Sequence, residues 1–135
     1  MLRLRPAEIH KTYKMVQWVD DGAEGDKQKI LEMLFDGLAA SLATAKYDLN
    51  HEVMAKSSLS LRRARRIIAG LSSTLDSKYS PSLCHDLASI YRYMLRQIDR
   101  VESANDLKSL DDLLEMTRTL REAWAARAYP FKSVA

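Results

Sequence analysis

Apolar residues recur at intervals of three and four along four long segments of this chain, the spacing that places side chains on one face of an α-helix. The four stripes are Ile30, Leu31, Leu34, Leu38, Leu42, Ala45 and Leu49; Leu61, Ala64, Ile67, Ile68, Leu71 and Leu75; Leu83, Leu87, Ile90, Tyr91, Met94, Ile98 and Val101; and Leu107, Leu110, Leu113, Leu114, Thr117, Leu120 and Trp124. Four apolar faces joined by short connections can bury one another in a single core. The sequence therefore predicts an all-α fold, an antiparallel up-down-up-down four-helix bundle.

Polar residues mark where three of these helices begin. Asp26 is a predicted N-cap for the first helix, because its carboxylate can accept hydrogen bonds from the unpaired amides of the first turn. Ser80 and Pro81 are a stronger start signal for the third helix, since serine caps and proline fits the first helical position. Asn105 or Asp106 is available to cap the fourth helix.

The helix ends are marked by less regular signals. The chain is expected to change direction near residues 50–52, and the composition of residues 76–80 is typical of a loop. Pro130 is expected to end the fourth helix, because the residue before a proline disfavours helical geometry.

A short extra helix or arm is predicted at the N-terminus, where Ile9, Tyr13 and Val16 are spaced by four and three residues. A polar linker with two glycines, residues 20–25, separates it from the first long helix. The predicted domain organisation is an arm over 1–20, a single bundle domain over 26–128 and a C-terminal tail over 129–135.

The composition indicates the fold class and the cellular compartment more clearly than the function. Four glycines and three prolines in 135 residues favour long helices over a turn-rich β fold. Cys84 is the single cysteine, so no internal disulfide can form, which fits a reducing compartment. The sequence contains no apolar run long enough to span a membrane. We expect a cytoplasmic protein that does not interact with membranes.

The sequence offers little on which catalysis could depend. His10, His51 and His85 stand outside any metal-ligand pattern, and the chain has no glycine-rich phosphate loop. Adjacent helical residues point about 100° apart, so Cys84 and His85 would not converge on a substrate. We therefore expect no enzymatic activity, no metal and no cofactor.

The strongest charge signal is a run of four arginines, Arg62, Arg63, Arg65 and Arg66, in a chain whose formal net charge is +3. The run could be a solvated helix face, a surface for an acidic protein, or a surface for nucleic acid. The absence of interleaved aromatic residues makes nucleic acid the least favoured of the three.

Several aromatic and methionine residues stand out on the first and third helices. Tyr91 and Met94 lie within an apolar stripe, whereas Tyr93 and Met33 lie off theirs. Apolar side chains beyond the core face provide a surface for a partner protein.

These segments, in this order, resemble the flagellar secretion chaperone family, the flagellin-specific export chaperones of bacteria. The landmarks are Tyr13, residues 30–38 with Phe35-Asp36-Gly37, residues 64–76, Leu87-x-x-Ile90-Tyr91-x-Tyr93-Met94, Asn105-Asp106 and residues 120–124. The chain departs from the family pattern where Asp26-Lys27-Gln28 replaces Ser-Pro-Glu, where a glycine after Asp76 is missing, and where Arg92 replaces an aspartate.

The resemblance implies a chaperone that binds the C-terminal segment of flagellin in a hydrophobic groove and prevents its polymerisation before secretion. The expected partner-binding residues are Tyr13, Met33, Phe35, Gly37, Tyr91, Tyr93 and Met94. Ile9, Tyr13 and Val16 of the arm are expected to act as a lid over the empty groove. The flagellar export apparatus or a regulatory protein is a further expected partner.

An alternative remains open from the arginine run. On that interpretation the protein is a regulatory bundle that binds nucleic acid or an acidic protein through Arg62, Arg63, Arg65 and Arg66. Reversing these four charges would then cause a large, salt-dependent loss of binding, whereas a chaperone with a separate groove would lose little client binding.

Overall fold

The computed structural model describes residues 24–78 and 80–134, with side chains over 29–56, 58–78 and 80–123. Its elements are α1 (Glu24–Asn50), a 3₁₀ turn (Ala55–Ser57), α2 (Leu59–Ser73), α3 (Pro81–Ala104) and α4 (Leu107–Val134). The four long helices and their order confirm the predicted all-α bundle.

Each helix packs against two neighbours, which arranges the four in a ring. α1 lies between α2 and α4, and α3 lies between the same two helices on the opposite side. The buried apolar side chains of all four helices form one core. Fully burying one leucine or isoleucine contributes about 1.5–3 kcal/mol, so this shared core is the main source of the bundle's stability.

Side-chain caps explain where α2 and α3 begin. The Ser58 hydroxyl accepts a hydrogen bond from the Leu61 amide at 3.2 Å, and the Ser80 hydroxyl accepts one from the Leu83 amide at 3.4 Å. Pro81 occupies the first turn of α3, as predicted.

The corner between α3 and α4 uses both of its predicted capping residues, in different ways. Asn105 ends α3 in the left-handed conformation, with φ of 51°. Asp106 starts α4, because its carboxylate accepts hydrogen bonds from the amide and the hydroxyl of Ser109. The Asn105 side chain also accepts a hydrogen bond from the Ala55 amide at 3.0 Å, which ties this corner to the connection between α1 and α2.

Two predicted helix boundaries are wrong. α1 begins at Glu24, so Asp26 lies inside its first turn and does not precede the helix as an N-cap. α4 does not end before Pro130 but continues to Val134. A proline removes one backbone hydrogen bond from a helix, which weakens the helix locally without always ending it. The division into arm, bundle and tail stays a prediction.

None of the described helices combines the length and the apolar content needed to cross a membrane.

Candidate partner-binding groove

An apolar groove lies between α1 and α2 and has a volume of about 440 Å³. The residues that line it are Leu34, Arg63, Arg66, Ile67, Gly70, Leu71, Ser73 and Thr74. We call this surface the α1–α2 groove. Its apolar floor and its position on the outside of the bundle make it the described surface best suited to hold a side chain from another protein.

The helical period of α2 produces one wall of this groove. Leu61, Ala64, Ile68 and Leu71 form the buried face of the helix. Arg63, Ile67, Gly70 and Thr74 follow one another at intervals of four, three and four, so they share a second face that is turned toward α1.

Gly70 makes this wall open. A Cβ atom built at Gly70 would have no neighbouring atom within 4 Å. The glycine therefore leaves a gap in the side-chain surface of α2 where a partner's side chain can enter.

Two of the predicted partner-binding residues lie on α1 beside the groove lining, which α1 enters with Leu34. Met33 is 71% exposed, and it lies one helical turn before Gly37, on the same edge of α1. A Cβ at Gly37 would lie 3.5 Å from Cδ1 of Ile67 and 3.6 Å from a guanidinium nitrogen of Arg63. Gly37 thus lies directly against two residues that line the groove, and its contact with a partner stays a prediction.

The four arginines of the run on α2 do not form one shared surface. Arg65 points to α3, where its guanidinium donates hydrogen bonds to Asp99 at 2.7 Å and to Glu102. The hydrogen bond to Asp99 raises the pKa of Arg65 above its ordinary value, and burial opposes this shift only in part. Arg63 and Arg66 instead line the α1–α2 groove, and Arg62 is exposed outside its lining.

Three other predicted partner-binding residues lie in the core. Phe35 is 2% exposed, and Tyr91 and Met94 are fully buried. In the described conformation these side chains support the bundle from within and are covered from solvent. Partner contact by these three residues stays a prediction.

Tyr93 is 40% exposed, but it belongs to α3, across the ring from α1. Its ring lies under the guanidinium of Arg96, with the guanidinium carbon 5.8 Å from the ring centroid. Tyr93 therefore lies away from the α1–α2 groove and from Met33 and Gly37 beside it. Ile9, Tyr13 and Val16, the predicted lid, lie outside the described residues.

The sequence reasoning missed Gly70 and the groove side of α2. The apolar stripe predicts core positions for Ile67 and Leu71: Leu71 is fully buried, whereas Ile67 is only partly buried and lines the groove together with Gly70. The sequence does contain a signal. Gly70 follows Ile67 by three residues and Arg63 by seven, so the three residues share a second face of the helix, on which the glycine leaves out a side chain.

A second groove, between α1 and α4, has a different character. Ion pairs connect the two helices beside its small residues Ala39 and Ala43: Lys46 pairs with Asp111 at 2.8 Å, and Arg121 pairs with Asp36 at 2.7 Å. Charges of both signs satisfy one another across this groove, so it offers less apolar surface and less unbalanced charge than the α1–α2 groove.

One end of the bundle exposes a further set of large apolar side chains. They come from the end of α1, the connection to α2 and the starts of α2 and α4: Tyr47, Val53, Met54, Leu59 and Leu107. Within the described part of the chain, no cluster of three metal-ligating side chains is present.

Comparison with known proteins identifies the family. The family model described as flagellar protein FliS matches residues 9–130. The flagellar secretion chaperone FliS of Escherichia coli K12 is 28% identical over 99 residues, 73% of each chain. The flagellar secretion chaperone FliSB of Pseudomonas aeruginosa PAO1 is 24% identical over 114 residues, 84% of this chain and 90% of the relative. FliS of Vibrio cholerae is 27% identical over 114 residues, 84% of each chain. The chain therefore belongs to the FliS family of flagellar secretion chaperones.

Proposed function

We propose that this protein binds the C-terminal segment of flagellin in the cytoplasm and keeps it from polymerising before export, and that the α1–α2 groove holds part of that segment. The observation that carries the proposal is an apolar groove on the outside of a bundle that belongs to a family of secretion chaperones. The protein acts by binding its client, without catalysing a reaction.

The physical reason for such a chaperone lies in the client. A protein segment that packs into a filament carries an apolar stripe, and a free apolar stripe associates with other copies. A groove that presents the partly exposed side chains of Leu34 and Ile67 can cover part of that stripe, as in other complexes where an amphipathic helix docks into a groove.

Gly70 provides a direct test of the groove. Changing Gly70→Trp places a large side chain in the gap of the α2 wall, and we expect the affinity for a flagellin C-terminal segment to fall by about tenfold or more. The matched control is Gly70→Ala, whose single methyl group leaves most of the groove open and should change the affinity little. Isothermal titration calorimetry measures both, and circular dichroism shows that both variants remain helical.

Two outcomes would contradict the proposal in different ways. Failure of the unaltered protein to bind the flagellin segment would refute the client assignment. Normal binding by Gly70→Trp would be consistent with flagellin as the client but would exclude the α1–α2 groove as its binding site.

The N-terminal arm is part of the same proposal. Ile9, Tyr13 and Val16 compete with the client for the groove in the empty protein. Such competition lowers the apparent client affinity by the fraction of grooves that are open. Deleting residues 1–19 should therefore raise the affinity for the flagellin segment and lower the solubility of the empty protein. Unchanged affinity and solubility would show that the arm is not a lid.

The alternative, a regulatory bundle that uses its four arginines as one surface, has less support from the geometry. Arg65 is already paired with two acidic residues of α3, and the remaining arginines are divided between the groove and the outer face of α2. Reversing all four charges would alter the groove as well, so single positions must be compared.

A further inference from the structure

The α1–α2 groove combines an apolar floor with unbalanced positive charge. Arg63 and Arg66 line it, both are exposed, and no residue of its lining is acidic. Among the side chains that the structure describes, none forms an ion pair with either arginine. Their charges are therefore available to a ligand that occupies the groove.

This charge is a particular property of the groove and does not extend over the whole bundle surface. Arg65, on the same helix, is neutralised by Asp99 and Glu102. The groove between α1 and α4 likewise contains lysine and arginine that are paired with aspartate. The formal net charge of the protein, +3, is small, so overall charge alone would not attract a ligand to this position.

The spacing of the two arginines also sets the geometry of a ligand. Residues three apart on a helix have Cβ atoms about 5–6 Å from one another, so the side chains of Arg63 and Arg66 leave α2 about one helical turn apart. A ligand helix with carboxylates at positions i and i+3 or i+4 matches that separation. Its apolar residues on the neighbouring face would then lie on the partly exposed side chains of Leu34 and Ile67.

We propose that the α1–α2 groove selects an acidic amphipathic helical segment, whose carboxylates pair with Arg63 and Arg66 while its apolar face covers the groove floor. The inference rests on the proposed function, since it names the chemistry of the client segment that this groove accepts. Guanidinium groups bind carboxylates through two parallel hydrogen bonds, which adds orientation to the apolar contact.

The first experiment removes the two charges and keeps the groove. In the double variant Arg63→Gln/Arg66→Gln, the affinity for a flagellin C-terminal segment should fall by about tenfold at low salt, as expected for two partly exposed ion pairs with arginine. This difference from the unaltered protein should shrink when the salt concentration rises from about 0.05 M to about 0.5 M. The matched control is Lys56→Gln/Arg62→Gln, which removes the same charge from exposed positions outside the groove lining and should change the affinity less than about twofold.

If the segment binds and the two double variants behave alike at both salt concentrations, the inference about acidic recognition is wrong and the proposed function stands. A larger loss in the groove variant, at low salt only, supports the inference.

A second experiment does not depend on flagellin. Three synthetic helical peptides with one identical apolar face carry glutamate, glutamine or lysine at the flanking positions. The unaltered protein should bind the glutamate peptide most tightly and the lysine peptide least tightly, and Arg63→Gln/Arg66→Gln should remove this order. Equal affinity for the three peptides, or equally tight binding of a DNA oligonucleotide at the same ionic strength, would overturn the inference. Failure of the unaltered protein to bind the flagellin segment, with the peptide order retained, would refute the proposed client alone.

Discussion

Thr117 is fully buried on α4, and its hydroxyl oxygen has no hydrogen-bond partner among the described residues. A buried polar group without a partner loses its hydrogen bonds to water and receives nothing in return, which costs about 1–3 kcal/mol. We therefore predict that Thr117→Val raises the free energy of unfolding by about 1 kcal/mol, because valine has nearly the same shape and no hydroxyl. Urea denaturation measures the change.

The control for this prediction is Thr117→Ser, which keeps the hydroxyl and removes a methyl group. It should lower the free energy of unfolding, because it leaves a small cavity in the core. A valine variant that is less stable than the unaltered protein would show that the hydroxyl has a hydrogen-bond partner after all.

At the residue scale, the apolar stripes predicted the burial of two side chains and the exposure of two others. Tyr91 and Met94 belong to the apolar stripe of α3, and both are fully buried. Met33 and Tyr93 lie off their stripes, and both are exposed. The sequence could not show which exposed residues share a surface, because that depends on which helices are neighbours. Gly37 lies beside Ile67 of α2 through helix packing alone.

At the element scale, the start of α4 depends on one partly exposed carboxylate, that of Asp106. The hydrogen bonds from the Ser109 amide and hydroxyl hold the pKa of Asp106 below its ordinary value of 3.8. A carboxylate with a lowered pKa in the folded state stabilises the protein fully above that ordinary value, and this contribution is lost as the pH falls through the lowered pKa.

We predict a pH-dependent difference between the unaltered protein and Asp106→Asn. Asparagine keeps an oxygen that can cap α4 but has no charge, so the unaltered protein should be the more stable of the two at neutral pH. The difference in urea unfolding midpoint should disappear in a pH series that extends below the ordinary pKa of aspartate. A difference that persists at the acid end of the series would show that the charge of Asp106 is not its source.

Helix boundaries marked by several local signals were predicted more accurately than those marked by one. Ser80 and Pro81 combine a cap with a favoured proline position, and α3 begins there. A single polar residue was a less reliable signal for a helix start, since Asp26 lies inside α1, which begins at Glu24. Pro130 shows the limit of local reasoning, because α4 continues past it despite the preference of the preceding residue.

At the scale of the whole molecule, the structure separates a core that maintains the bundle from a groove edge that faces solvent. Met94 and Met33 represent these two parts, with side chains that are fully buried and 71% exposed. The family resemblance implied partner contact for both, and the packing gives them different environments. Substituting each methionine by alanine makes the same chemical change at both positions. It therefore distinguishes a residue that supports the bundle from one that contacts the client.

We predict opposite effects for the two substitutions. Met94→Ala should lower the free energy of unfolding by about 2–5 kcal/mol, because it removes a buried side chain and leaves a cavity. The fraction that remains folded should bind the flagellin segment with nearly unchanged affinity. Met33→Ala should leave the free energy of unfolding within about 0.5 kcal/mol of the unaltered protein and should weaken binding. Urea unfolding and calorimetric titration of both variants provide the comparison. If Met94→Ala weakens binding in the absence of denaturant, under conditions where the variant is fully folded, then the buried face of α3 opens when the client binds. The core and the client surface would then not be separate.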